Sequence, residues 1–377
     1  MHVAINAHLL AHTANFRRAG VSHYVEALLH HLGHIDTHNR YTIYTTKGVD
    51  AAALGLPQNF VVRQSRFPTI NPRVRIPWEQ LVAPISLARE GADVYHGVLN
   101  VMPILAGIPS VVTIHDLSAM LFPQTFRRIN RMYTRWAINV SAKRAAHIFT
   151  VSEYARQEII THLKVPAARV TVTYDACDER FRPSAPTELA AFRQRNGLPE
   201  RFLFYLGTLE PRKNIPRLLD AYAKIAHEVD VPLLIGGGKG WLYEPILAQA
   251  ERLQLGDKLK FVGYIPQEEQ HLWYGAATAF VFPSLYEGFG MPPLEAMACG
   301  TPVIVSNASS LPEVTGDAGL QVDPYDVDGW ADAMRRVLTD RTLHADLAAR
   351  GPLQAAKFSW VDTAQRTLEV YQRVVRR

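Results

Sequence analysis

Glu287 and Glu295 lie eight positions apart in the run Pro283-Ser284-Leu285-Tyr286-Glu287-Gly288-Phe289-Gly290-Met291-Pro292-Pro293-Leu294-Glu295. Carboxylates are good acceptors for vicinal hydroxyls. Glycines let a ligand approach the backbone, and prolines in a helix's first turn omit N–H groups that would have no partner there. The free N–H groups of a helix N-terminus suit a phosphate. Two glutamates at this spacing are, by themselves, more often a solvated helix face. The glycines and prolines around Glu287 make no sense on such a face, so the ligand reading is preferred.

Three further segments have chemistry to offer. In Gly207-Thr208-Leu209-Glu210-Pro211-Arg212-Lys213-Asn214, two cations stand where a helix begins, a place the macrodipole disfavours unless an anion intervenes. A diphosphate would serve, met by the planar fork of Arg212 and the point charge of Lys213; two solvated surface cations are the alternative. Ile235-Gly236-Gly237-Gly238-Lys239-Gly240 is a strand-to-helix turn that lacks a P-loop's ending, and its structural and functional readings balance. Thr113-Ile114-His115-Asp116-Leu117 sets a His–Asp dyad at the end of an apolar strand. His23, His30 and His31 follow a helical pattern and read as surface.

The elements that must hold these segments are legible. Short β-branched runs at 2–7, 41–46, 60–65, 93–97, 110–116, 147–152 and 170–174 alternate with amphipathic stretches at 21–32, 77–89 and 127–144. A second series follows at 202–207, 232–236, 259–264, 279–283 and 302–306. Runs like Val111-Val112-Thr113-Ile114 are apolar throughout and not alternating, which predicts parallel strands covered on both faces. Two such series predict two doubly wound, Rossmann-like α/β domains. The proline-rich break at 181–186 sets the domains at 1–183 and 184–356, with 357–377 as a last helix expected to pack back across both. In open α/β sheets ligands bind beyond the strands' carboxyl ends, so two facing domains would enclose a cleft. Hinges are expected at 181–186 and near Gly351-Pro352.

Two cysteines are too few for a disulfide framework, and the first fifteen residues lack a signal peptide's pattern, so a cytoplasmic protein is expected. No apolar run reaches a membrane span. Residues 1–183 hold 20 Lys+Arg against 12 Asp+Glu, so the first half should attract anions. Arg127, Arg128, Arg131, Arg135, Lys143 and Arg144 make 126–147 a basic amphipathic helix, with Met132, Trp136 and Val140 on another face. That apolar face is expected on the sheet, with peripheral contact to the inner face of an anionic membrane kept open for the basic one. No nucleic-acid-binding pattern and no Asp-x-Asp metal motif at the site are present. The missing dinucleotide fingerprint disfavours a dehydrogenase.

With those motifs the sequence resembles the family-4 retaining glycosyltransferases of GT-B fold, strongly from residue 202 to about 324. The resemblance implies Glu287 at the donor sugar's hydroxyls and Glu295 at the ribose. It implies Phe289, Gly290, Met291 and Leu294 around the sugar and diphosphate, with Ile265 flanking the base. Arg212 and Lys213 would neutralise the leaving diphosphate, Gly20 would approach the phosphates, and His115, with Asp116, would sit beside the sugar. Thr208 replaces an arginine common in the family, which shifts phosphate charge onto Arg212. The text is closest to bacterial mannosyltransferases of surface polysaccharide assembly. It implies GDP-mannose as the substrate, a glycan or lipid-linked glycan as the acceptor, and no cofactor or metal. Front-face attack follows from the same resemblance. A GT-B-fold sugar-nucleotide epimerase and a non-catalytic sugar-nucleotide binder are the alternatives.

Overall fold

The structure, a computed structural model, describes residues 1–10, 20–122 and 128–376; the side chains of residues 128–131 lie outside the description. The chain divides into two compact units, Met1–Asp175 with Ser359–Arg377, and Ala176–Phe358.

The first unit is built on seven strands, β1 (His2–Ala7), β2 (Arg40–Thr45), β3 (Phe60–Gln64), β4 (Val94–Gly97), β5 (Ser110–Thr113), β6 (His147–Thr150) and β7 (Val170–Val172). Their order is β3-β2-β1-β4-β5-β6-β7, and every pairing is parallel. Strand β1 and strands β4 to β6 are buried along their whole length, polar members such as Asn6, His96 and His147 included, as a parallel sheet covered on both faces requires. The helix Val21–Ile35 covers this sheet, and the last helix, Trp360–Val375, packs against it.

The second unit repeats the plan with β8 (Leu203–Leu206), β9 (Leu233–Gly236), β10 (Leu259–Gly263), β11 (Ala279–Phe282), β12 (Val303–Ser306) and β13 (Gly319–Val322), ordered β10-β9-β8-β11-β12-β13. All its pairings are parallel as well. The doubly wound α/β class read from the sequence is the observed one.

Three details differ from the expectation. Strand β13 has no counterpart in the sequence reading, because Gly319-Leu320-Gln321-Val322 is a short, half-exposed edge strand with a polar residue in its middle. The segment expected as one helix at 77–89 is three pieces, Pro72–Pro77, a π-helical Trp78–Val82, and Ala83–Glu90. Pro77 and Pro84 each remove a backbone donor, which breaks the regular ladder. Gly351 and Pro352 do not fall in a linker. They lie inside the helix Arg341–Ala355, where a Cβ on Gly351 would come within 2.9 Å of the Met297 carbonyl of the neighbouring helix.

Candidate active site

The loops beyond the carboxyl ends of β8, β11 and β12 bring together Glu210, Arg212, Lys213 and Glu287 with Ser284, Ser309 and Ser310. After β8 the chain makes a 3-10 turn, Pro211–Lys213, and only then enters the helix Ile215–Ile225. Asn214 separates the two with a left-handed backbone, φ 57°, and its side-chain amide donates to the carbonyls of Pro283 and Pro324 at 3.1 and 2.7 Å. The turn is thereby fastened to the segments leaving β11 and β13. Arg212 and Lys213 stand outside the helix proper, not in its first turn.

The anion beside those cations belongs to the protein. Lys213 Nζ lies 2.6 Å from Glu287 Oε1, and Arg212 Nη1 lies 3.1 Å from Glu287 Oε2. Ser284 Oγ donates to Glu287 Oε1 at 2.6 Å, and the Glu287 N–H is accepted by Ser309 Oγ at 2.9 Å. Arg212 also forks onto Glu210 Oε1 through Nε and Nη2, at 3.1 and 2.8 Å, and gives Nη1 to the Tyr286 carbonyl. The guanidinium expected to carry more of the phosphate charge is therefore also a clamp that orients Glu287. Lys213 sits over the Phe282 ring, 5.2 Å from its centroid.

Burial alone would raise the Glu287 carboxyl, but the Lys213 ammonium, the Arg212 guanidinium and the Ser284 hydroxyl outweigh it and hold the group at about 2. Burial, with Arg212 adding to it, lowers Lys213, while Glu287 and Glu210 pull it back up. Glu295 is the opposite case. Burial pushes it up to about 7 against a hydrogen bond from the Tyr274 hydroxyl, 2.9 Å from Oε2. Two carboxyls eight residues apart are thus driven in opposite directions by their surroundings.

Between them the helix Met291–Ala298 begins. Gly290 caps it at φ 125°, and a Cβ there would meet Leu311 Cδ2 at 2.8 Å, so glycine is required on both counts. Pro292 and Pro293 leave the first turn with few N–H donors of its own. Phe289 is buried edge-on to Phe358 at 5.4 Å, and its carbonyl accepts from Ser310 Oγ. Met291 is half-buried. Leu294 is fully buried, and its N–H goes to the Gly290 carbonyl, so it is core and offers a ligand nothing. Ile265 is buried too, with its methyl end against Gly236.

The glycine-rich turn after β9 has a packing explanation. Gly237 takes φ 135°, and a Cβ there would come within 1.9 Å of the Gly207 carbonyl. Leu209 N–H donates to Gly238, and Gly240 N–H returns to Leu209, so this turn and the Arg212 loop are laced together.

In the first unit, His115 lies two residues beyond the end of β5. Its Nε2 lies 3.0 Å from the Val98 carbonyl, which can only accept, so Nε2 carries the proton and Nδ1 is an acceptor. Its backbone N–H donates to Asn100 Oδ1 at 3.0 Å. Burial lowers its pKa, opposed by that carbonyl and by Asp116, so the ring is neutral. The expected His–Asp dyad does not form: Asp116 Oδ1 accepts from the Ser118 N–H at 2.8 Å, in the turn that leads into the helix Ser118–Leu121. Gly20 caps the helix Val21–Ile35 and is exposed; its predecessor Ala19 lies outside the described residues.

The helix Arg128–Arg144 is oriented otherwise than expected. Ala137, Ile138, Ser141 and Ala142 form its buried side, whereas Met132 is 72% and Trp136 53% exposed. Small residues pack closest to a sheet, which leaves the bulky pair outward on a helix that also exposes Arg135, Lys143 and Arg144. Arg127 and the side chains of Arg128 and Arg131 lie outside the described residues. Among the described residues, no helix is long and apolar enough to cross a membrane, and no three His, Cys, Asp or Glu side chains group to hold a metal ion.

Sequence reasoning passed over Glu210, Ser284, Ser309 and Ser310. Ser284 stands inside the glutamate motif, and the serine pair follows β12 at the same sheet edge as the other site loops, which is the signal that points to each.

Comparison with known proteins places these loops in context. The family described as "Glycosyl transferases group 1" matches residues 188–354, and "Glycosyltransferase Family 4" matches residues 18–181. The O-antigen chain mannosyltransferase B of Escherichia coli is 38% identical over 282 residues, 74% of either chain. The serotype-specific mannosyltransferase WbdA of Escherichia coli is 33% identical over 274 residues, 71% of this chain but 34% of that longer protein. Among solved structures, sucrose-phosphate synthase from Thermosynechococcus elongatus superposes with a TM-score of 0.80 at 22% identity, covering 99% of this chain and 98% of the other.

Proposed function

The chain belongs to the group 1, family 4 glycosyltransferases, of GT-B fold class, and on that premise we propose that it moves mannose from GDP-mannose to a hydroxyl of a glycan or lipid-linked glycan, with retention at the anomeric carbon. The mannosyltransferase names of its relatives support the sugar and a place in surface polysaccharide assembly. One observation carries the reading: the Glu287 carboxylate, ionised and immobilised by Lys213, Arg212 and Ser284 at a sheet's carboxyl edge.

Breaking the sugar–phosphate bond builds negative charge on the diphosphate and positive charge on the sugar. Preorganised cations at the first and a fixed carboxylate at the second stabilise both, usually the largest contribution to catalysis. Lys213 and Arg212 take the diphosphate, helped by backbone N–H groups at Gly290 and Met291 and by Gly20. Glu287 accepts from the sugar hydroxyls and Glu295 from the ribose diol. His115, with Nδ1 as an acceptor, hydrogen-bonds the sugar. In a front-face step the C1–O bond to phosphate breaks as the acceptor oxygen bonds C1, and the acceptor's proton passes to the departing phosphate oxygen. Positive charge from Arg212 and Lys213 stands where a divalent metal would otherwise be needed.

Peripheral contact with an anionic membrane is part of the proposal, supported by exposed Met132 and Trp136 beside basic residues. The test is incubation with GDP-mannose and a lipid-diphosphate-linked glycan in EDTA, followed by NMR of the product. One GDP per α-linked mannose is expected. Binding without turnover, an epimerised nucleotide sugar, a β-linked product or loss of activity in EDTA would each contradict a stated part.

A further inference from the structure

The wall of the first unit behind His115 is tied to the chain's last helix by an unbroken line of buried polar groups. Tyr24, on the helix Val21–Ile35, sets its ring edge-on to the His115 imidazole, centroids 4.7 Å apart and planes at 89°. The Tyr24 hydroxyl meets Thr113 Oγ1 at 3.2 Å, and Thr113 Oγ1 meets His96 Nε2 at 2.7 Å. His96 Nδ1 meets the Tyr371 hydroxyl at 2.6 Å, and Tyr371 lies on the helix Trp360–Val375. All four side chains are buried. The same helix grips Tyr24 a second time, where Trp360 stands 5.8 Å from its ring.

His96 stays neutral, because burial and then the nearby His115 lower it to about 3. A neutral imidazole has one donor and one acceptor nitrogen, so it relays orientation from one hydroxyl to the other. Hydrogen bonds in a dry interior polarise one another, and a buried chain with every member satisfied has few alternative arrangements. The His115 backbone N–H is held by Asn100, and one edge of its ring, at Nε2, by the Val98 carbonyl. The Tyr24 ring packs against the imidazole itself, so its placement fixes that side of the site.

We propose that Tyr371, His96, Thr113 and Tyr24 form a brace through which the C-terminal helix positions the His115 ring, which makes Tyr24 and Tyr371 positioning residues for sugar transfer. The proposal rests on the role given to His115 above. It explains why a helix with no strand of its own belongs to the first unit: its Tyr371 completes the support of a ligand-facing ring. The titratable groups around His115 are Asp116 on its own segment, His96 on β4 and Tyr24 on the helix Val21–Ile35, with Asp175 facing Tyr24.

The experiment uses the full chain, with Tyr24→Phe and Tyr371→Phe made singly, together, and each in a His115→Ala background. Thr113→Val cuts the same line at its middle and serves if Tyr371→Phe does not fold. Each phenylalanine variant should lower kcat about tenfold, the order of coupling within one network, and leave the KM for GDP-mannose unchanged. The two together should cost no more than one. Neither should lower kcat further once His115 is alanine. In 13C-imidazole NMR the His115 signal should titrate at higher pH in the variants than in the parent, as its packing loosens. A Tyr371→Phe penalty of the same size without His115, or variants with parental kcat and an unmoved His115 signal, would overturn the brace. If His115→Ala alone transferred at the parental rate, the role of His115 would fail and the catalytic half of this proposal with it. A His115 signal that still moved in Tyr371→Phe would then support the mechanical half alone.

Discussion

Lys213 and Glu287 bind one another at 2.6 Å from loops 74 positions apart, and both are buried. Taking two charges out of water is costly, and their attraction offsets the cost only where geometry and further hydrogen bonds are good. Here Ser284 and Arg212 complete the carboxylate, so the pair is supported on every side. Its consequence is positional: a carboxylate and two cations are fixed within one small region before chemistry begins.

The pairing predicts a coupled stability effect. Lys213→Ala leaves a buried carboxylate without its main partner and should destabilise the chain by about 3–5 kcal/mol. The Lys213→Ala/Glu287→Gln double variant should be less destabilised than the sum of the two single changes. Denaturant unfolding of all four chains measures the coupling, and strict additivity would show that the pair does not interact.

Acid sensitivity follows from the depressed Glu287 carboxyl. A group at about 2 in the folded state, against an ordinary 4.5, stabilises the fold fully above the ordinary value. That contribution is lost as pH falls from about 4.5 through 2. A Glu287→Gln chain should therefore show a shallower loss of stability across that window, measured by urea unfolding at pH 5, 4 and 3.

Glu295 should impose a different pH dependence. Raised to about 7, it is largely protonated below neutrality and becomes an acceptor above it. Affinity for GDP should rise with pH by up to tenfold per unit below about 7 and level off above, since only the ionised form accepts both ribose hydroxyls. Glu295→Gln should flatten that dependence, which titration calorimetry between pH 6 and 8 records.

Trp136 tests the basic helix. Sedimentation with anionic vesicles should be weakened by Trp136→Ala and by added salt, because both apolar insertion and charge contribute. Binding that is indifferent to both would remove this helix from membrane contact.

The sheets were readable because parallel strands are apolar on both faces, so runs such as Val111-Val112-Thr113-Ile114 mark themselves, whereas edge strand Gly319–Val322 does not. Glu287 was legible through the glycines and prolines that a solvated helix would not tolerate. The residues that orient it were not, since Ser309 and Ser310 are ordinary loop residues until β12 brings them to Glu287 and Phe289. Asp116 misled because adjacency to His115 suggested a dyad, while the nearer demand was the N–H of Ser118. Helical periodicity located the faces of Arg128–Arg144 but not which one meets the sheet, a choice settled by the small residues Ala137, Ser141 and Ala142.

The most direct measurement is single-turnover transfer from GDP-mannose by the parent chain and by Lys213→Met, which keeps the stem's bulk and removes the charge. If the Lys213 ammonium stabilises the departing diphosphate, the rate of bond cleavage should fall about 10²–10³-fold. A rate within threefold of the parent, in a variant that still binds GDP-mannose, would contradict it.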